Sequence, residues 1–99
     1  MATFRLSPEA EHDLRDIIEY IAQDSEPAAE RVRQRLLEAM RNLAAMPGQG
    51  HRREDLTRRE VLFWPVGNYL VIYKPRTDPL QIVAVLHGKR NVRRILRDR

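Results

Sequence analysis

The apolar positions of this chain change their spacing twice. Ala2, Phe4 and Leu6 alternate with Thr3 and Arg5, which suits a short strand over Ala2–Leu6. From there to residue 45 the spacing is helical. Ala10, Leu14, Ile17, Ile18 and Ile21 make one stripe, and Val32, Leu36, Met40 and Leu43 make a second, with Leu37 and Ala44 on its margin. Beyond residue 60 the apolar residues come as short runs, Val61–Trp64, Tyr69–Lys74 and Leu80–His87. Their length and their content of Val, Ile, Tyr and Trp predict strands.

The polar residues between these segments mark their ends. Ser7-Pro8-Glu9 opens a helix that should stop near Asp24, and Ser25-Glu26-Pro27 opens a second one that Pro47-Gly48-Gln49-Gly50 should end. The short link between them predicts an antiparallel hairpin. Pro65–Asn68 and Pro75–Pro79 supply turns, so the three later strands form an antiparallel meander. Residues 51–59 read as a solvated charged loop, with a phosphate-contacting loop as the alternative. Asn91–Arg99 reads as one or two helical turns, with Val92, Ile95 and Leu96 on one side and Arg93, Arg94, Arg97 and Arg99 on the other. The fold class is α+β: an N-terminal strand, an antiparallel helical hairpin on one face of a three- to four-stranded, mainly antiparallel sheet, and a short C-terminal helical tail.

Strand alternation has a further consequence. Tyr69, Val71 and Tyr73 point one way and Leu70 and Ile72 the other, while Leu80, Ile82, Ala84 and Leu86 oppose Val83, Val85 and His87. Both faces of the meander are apolar, whereas a sheet with one wet face alternates apolar with polar. The helical hairpin covers one face. The other, with Trp64 and one set of Tyr69/Tyr73 or Leu70/Ile72, has only the tail, so a second chain is expected to complete it.

Composition narrows the class. Ninety-nine residues make a single domain, 1–99, and no cysteine is present for disulfides or thiolate metal sites. No apolar run approaches a membrane span and the N-terminus is not a leader, which favours a cytoplasmic setting. The charge is divided: residues 1–50 carry six basic and nine acidic side chains, residues 51–99 twelve and five. The basic half points to an acidic partner, either nucleic acid or an acidic protein segment. Sixteen of the eighteen basic residues are Arg.

Little conventional chemistry stands out. His12, His51 and His87 have no metal-ligand spacing, and phosphate loops, dinucleotide fingerprints and nucleophile elbows are missing. No metal or cofactor is expected. Glu9, Glu11, Asp13 and Asp16 read as a solvated helix face. One constellation remains, His87-Gly88-Lys89-Arg90, where Gly88 would let the backbone leave the sheet sharply. It suits a general acid with a phosphate clamp, a basic protein-contact patch, or a plain solvated strand end.

The order of elements, the Ser-Pro-Glu-Ala helix start, Gly67-Asn68-Tyr69-Leu70-Val71-Ile72-Tyr73 and Val85-Leu86-His87-Gly88-Lys89-Arg90 together resemble the RelE/ParE superfamily of bacterial toxins. The resemblance covers essentially the whole chain. Its RelE-like members are ribosome-dependent mRNA endonucleases, and its ParE-like members poison DNA gyrase without cutting nucleic acid themselves. The nuclease branch carries basic residues before the turn, an Arg after the Gly-Tyr motif, an Arg in Gly-Lys-Arg and a later aromatic. Here Val61, Leu62, Phe63 and Leu70 stand in the first places, only Arg90 matches, and no aromatic follows it.

The resemblance therefore implies a ParE-like toxin of a type II toxin–antitoxin system. It would be no enzyme, would act on gyrase and would form a hetero-oligomer with a ParD-like antitoxin. It implies toxicity through the C-terminal basic region, with Arg90, Arg93 and Arg94 first and His87 and Lys89 behind them, and antitoxin contacts at Trp64, Tyr69 and Tyr73. The alternatives are a RelE-like nuclease using His87 and Arg90, and a non-toxic basic module that binds nucleic acid directly.

Overall fold

A computed structural model describes residues 2–99. The elements in chain order are β1 (Phe4–Leu6), α1 (Pro8–Ala22), α2 (Glu26–Ala45), a 3₁₀ turn (Pro47–Gln49), β2 (Leu62–Val66), β3 (Tyr69–Lys74), β4 (Leu80–His87) and α3 (Val92–Arg97). The strands form one sheet in the order β1-β4-β3-β2, with β1 parallel to β4 and the other pairs antiparallel. This is the α+β arrangement expected. None of the described helices is long and apolar enough to cross a membrane.

Local chemistry explains the boundaries. The Ser7 hydroxyl accepts from the Ala10 N–H at 3.0 Å and that of Ser25 from the Ala28 N–H at 3.2 Å, so each helix begins on a serine cap followed closely by a proline. The turn between β2 and β3 is tighter than Pro65–Asn68. Pro65 and Val66 belong to β2, and only Gly67 and Asn68 form the turn, with Gly67 at φ +58° in the first central position, as in a type II′ hairpin. Pro65 is tolerated in a strand because β2 lies at the sheet edge, where its missing N–H leaves no ladder bond unmade.

In β4 the strict alternation breaks. Tyr73 pairs with Ile82 but Ile72 pairs with Ala84, leaving Val83 as an extra residue. Such a bulge reverses the facing of everything beyond it. Leu80, Ile82 and Val85 therefore share the helix-facing core, while Ala84 and Leu86 lie in the core opposite, with Val83 packed against it. The uninterrupted alternation read along Leu80–His87 is corrected accordingly.

Two cores result, one on each face. Between the sheet and the hairpin lie Ala10, Leu36, Met40, Leu43, Val71, Tyr73 and Ile82, with Trp64 and Tyr69 packed at the margin. On the other face Val61, Phe63, Ile72, Ala84 and Leu86 are buried with Val92 and Leu96 of α3, and Leu56 and Ile95 pack against them. Ile72 and Ala84 have no exposed surface at all. The expectation of a second chain completing this face is thus overturned: α3 and the loop before β2 seal it. Trp64 also lies on the helix side and not on that face.

This thin cover is tied down by polar bonds. Asp13 of α1 is only 6% exposed, against the reading of a solvated position. Its carboxylate accepts from the Val85 N–H at 3.1 Å and from both terminal nitrogens of Arg99, at 2.6 and 2.7 Å. The pairing raises the pKa of Arg99 further above its ordinary value. β1 is too short to pair with β4 beyond Ile82, so Asp13 satisfies an edge amide that the ladder leaves free.

Candidate target-binding surface

The strand end and turn at residues 87–90 are built by backbone bonds. The Gly88 N–H donates to the Asn68 carbonyl at 2.9 Å, the Arg90 N–H to the His87 carbonyl at 3.0 Å, and the Val92 N–H to the Arg90 carbonyl at 2.8 Å. Gly88 does not use a left-handed backbone, and an added Cβ there would stand 3.5 Å from the Asn68 oxygen, an ordinary contact. The sharp exit comes from the tight turn and needs no glycine. The Asn91 side chain then accepts from the Arg94 N–H at 3.1 Å and caps α3.

The sheet divides the residues expected to act together. His87 faces the helix side, opposite Tyr69, with the rings edge to face at 5.4 Å. Its Nδ1 accepts from the Lys89 N–H at 3.1 Å, which leaves the neutral ring's proton on Nε2. Arg93 and Arg94 stand on α3, across the sheet from that ring. Arg93 donates from Nε at 3.0 Å and from a terminal nitrogen to the carbonyl of Asp55, fastening α3 to the loop. Lys89, Arg90 and Arg94 are exposed. Arg90 lines a cleft of about 390 Å³ with Arg53, Arg93, Leu56, Leu70 and Val92.

The loop at 51–60 takes part in both packing and charge, which its composition alone did not signal. Leu56 packs beneath it. Arg53 makes two bonds to the Asp55 carboxylate, at 3.0 and 2.9 Å, and this guanidinium holds Asp55 below the usual carboxylate range. Arg52 and Arg59 reach a larger cleft of about 780 Å³ beside Lys74, Arg76 and Arg99. The signal available in the sequence was Leu56, a lone apolar residue inside a charged run.

The aromatic trio separates as well. Tyr73 is fully buried, donating to the Pro47 carbonyl at 2.7 Å and accepting from the Gly50 N–H at 2.9 Å. Burial raises its pKa above the ordinary value, opposed in part by the Gly50 bond. A Cβ on Gly50 would fall 2.5 Å from that hydroxyl, so glycine is required there. Tyr73 is a core anchor with nothing to offer a partner, and its place among antitoxin contacts is withdrawn. Trp64 is half-buried and stacked on His51, with ring centroids 6.1 Å apart. It lines a groove of about 340 Å³ with Arg35, Glu38, Asn42 and Leu43 of α2, and Tyr69 lines an adjoining one of about 200 Å³ with Val32, Arg35 and Leu36. Among the described residues no group of histidine and carboxylate side chains could hold a metal.

This fold, a helical hairpin and a short tail enclosing a four-stranded mixed sheet, is that of a chain solved in the chromosomal ParDE toxin–antitoxin system from P. aeruginosa. The two are 18% identical, with a TM-score of 0.71 over 88% of this chain and 96% of that one. A search of curated proteins finds no match. The model of the ParE toxin family, toxins of the type II toxin–antitoxin system parDE, matches residues 4–92, and the chain belongs to that family.

Proposed function

We propose that this chain inhibits DNA gyrase by binding, without catalysing a reaction itself, and that a ParD-like antitoxin neutralises it in a cytoplasmic hetero-oligomer. The observation that carries the reading against an mRNA nuclease is the division of the basic surface. A phosphoryl-transfer site needs its general acid and several cations around one phosphate. Here His87 sits against Tyr69 on one face while Arg93 and Arg94 belong to the other, and Arg93 is committed to the loop. Toxicity is assigned to Arg90 and Arg94, with Lys89 beside them, Arg93 as the residue that positions α3, and His87 in a lesser role.

Antitoxin contact is assigned to the grooves at Trp64 and Tyr69, where α2 meets the hairpin of β2 and β3. Half-buried aromatics beside a polar rim are the usual anchors of such interfaces. Purified chain should stabilise cleaved plasmid in the presence of gyrase and leave mRNA on ribosomes intact. Trp64→Ala should weaken antitoxin binding by about 10- to 100-fold. Ribosome-dependent RNA cutting that is lost in His87→Ala and Arg90→Ala would replace this reading with the nuclease one.

A further inference from the structure

The segments that seal the second face, 51–60 and 88–99, carry ten basic and four acidic side chains, whereas α1 on the far side carries five acidic and one basic. Four of the ten have structural partners: Arg99 on Asp13, Arg93 on the Asp55 carbonyl, Arg53 on the Asp55 carboxylate, and Arg52 on Glu54 at 3.8 Å. The other six, Arg58, Arg59, Lys89, Arg90, Arg94 and Arg97, are exposed and in no ion pair among the described residues. Arg94 and Arg97 share one side of α3 a turn apart, and Lys89 and Arg90 lie in the turn leading into it. Arg93 fastens the loop bearing Arg58 and Arg59 to this helix, so the two cationic segments form one body.

Like charges at helical neighbour spacing repel. A face kept only for solubility interleaves the two signs. Guanidinium groups left without carboxylates suit phosphate oxygens, which they can grip in pairs. We propose that this face binds the phosphate backbone of duplex DNA directly.

Two observations favour a paired nucleic-acid backbone over single strands and acidic proteins. First, residues 52–60 and 88–99 contain no aromatic ring, and the His51 ring is stacked on Trp64. Recognition of single strands relies on aromatic platforms for unstacked bases, so the face suits a paired backbone. Second, its apolar side chains turn mostly inward: Val92 and Leu96 are buried, Leu56 and Ile95 half-buried, and among the described residues the large exposed hydrophobics, Tyr20 and Met46, belong to the helical hairpin and its end. An acidic protein partner would need an apolar or aromatic centre to its interface, and this face offers only the small cleft at Leu56, Leu70 and Val92, rimmed by Arg53, Arg90 and Arg93. The inference does not depend on gyrase being the target. If gyrase is, the same face would touch the DNA that the enzyme holds.

The test is fluorescence anisotropy of a labelled duplex of about 20 base pairs, titrated with the purified full chain at several salt concentrations and without gyrase. Binding should weaken steeply with salt. Arg90→Glu/Arg94→Glu/Arg97→Glu should lower affinity at least about 30-fold and make the log–log salt slope shallower by about 3. The charge-matched control Arg15→Glu/Arg31→Glu/Arg41→Glu, on the helices, should change affinity less than about 3-fold. If the first variant fails to fold by circular dichroism, Arg58→Gln/Arg59→Gln supplies the same reading, with a slope change of about 2. No binding at 50 mM salt, an equal loss in the control, or tighter binding to single strands, duplex RNA or polyglutamate would each overturn the proposal. Because the probe is DNA alone, a negative result here leaves the gyrase assay to be judged separately.

Discussion

The two faces of the sheet are closed in unlike ways. On one, α1 and α2 supply long amphipathic stripes with their own serine caps, and the core is built from large side chains such as Leu36, Met40 and Tyr73. On the other, the cover is a six-residue helix and a charged loop. A helix of that length does not hold together alone in water. Its persistence rests on Val92 and Leu96 in the core and on polar anchors, Asp13 with Arg99 and Arg93 with Asp55. A thick apolar layer needs little further fixing, whereas a thin one depends on a few directional bonds.

The largest effect should come from the thick side. Leu36→Ala should cost about 4 kcal/mol in urea unfolding, and the loss should be global. Asp13→Ala leaves the Val85 N–H without a partner and Arg99 with only its bond to the Val83 carbonyl, and should cost about 3 kcal/mol. By hydrogen exchange that loss should open α3 and the 51–60 loop before α2. Uniform loss of protection would mean that the two faces are not separable in stability.

Smaller changes sharpen the contrast. Tyr73→Phe removes two buried hydrogen bonds and should cost about 1–2 kcal/mol. Because the folded chain holds the Tyr73 proton more tightly than the unfolded one, its contribution is complete below the ordinary value of 10.0 and is lost as pH rises through the folded value. Wild-type melting temperature should therefore fall at high pH more than that of Tyr73→Phe. Smallest of all, Arg53→Ala should leave the melting temperature nearly unchanged. Asp55, held low by Arg53, adds stability that is present above the ordinary carboxylate value and lost as pH falls through its folded value, but the pair is exposed and screened.

Much of this was legible in one dimension. Spacing placed both helices within a residue or two, because caps and amphipathic stripes are local in sequence. The strands were legible for the same reason, save that Ala2, Thr3 and Val61 fall outside them and that Pro65 and Val66 looked like a turn until β2 was known to be an edge. The alternation in β3 carried straight into space, with Tyr69, Val71 and Tyr73 on one face. In β4 it failed at Val83, because a bulge is a property of two paired strands and cannot be seen in one.

The sequence by itself determined that both faces of the sheet were apolar, that positive charge gathered in the second half, and that the chain resembled ParE toxins. Those are sums and periodicities, carried by each residue independently of its partners. Only the tertiary structure decided what covers the second face, since this required Asp13 to meet Arg99, eighty-six positions away. The same long-range packing puts Tyr73 in the core and sets His87 apart from the arginines of α3. Long-range pairing leaves no local signature, because the carboxylate that latches a tail reads, in the linear chain, as one more charge on a helix.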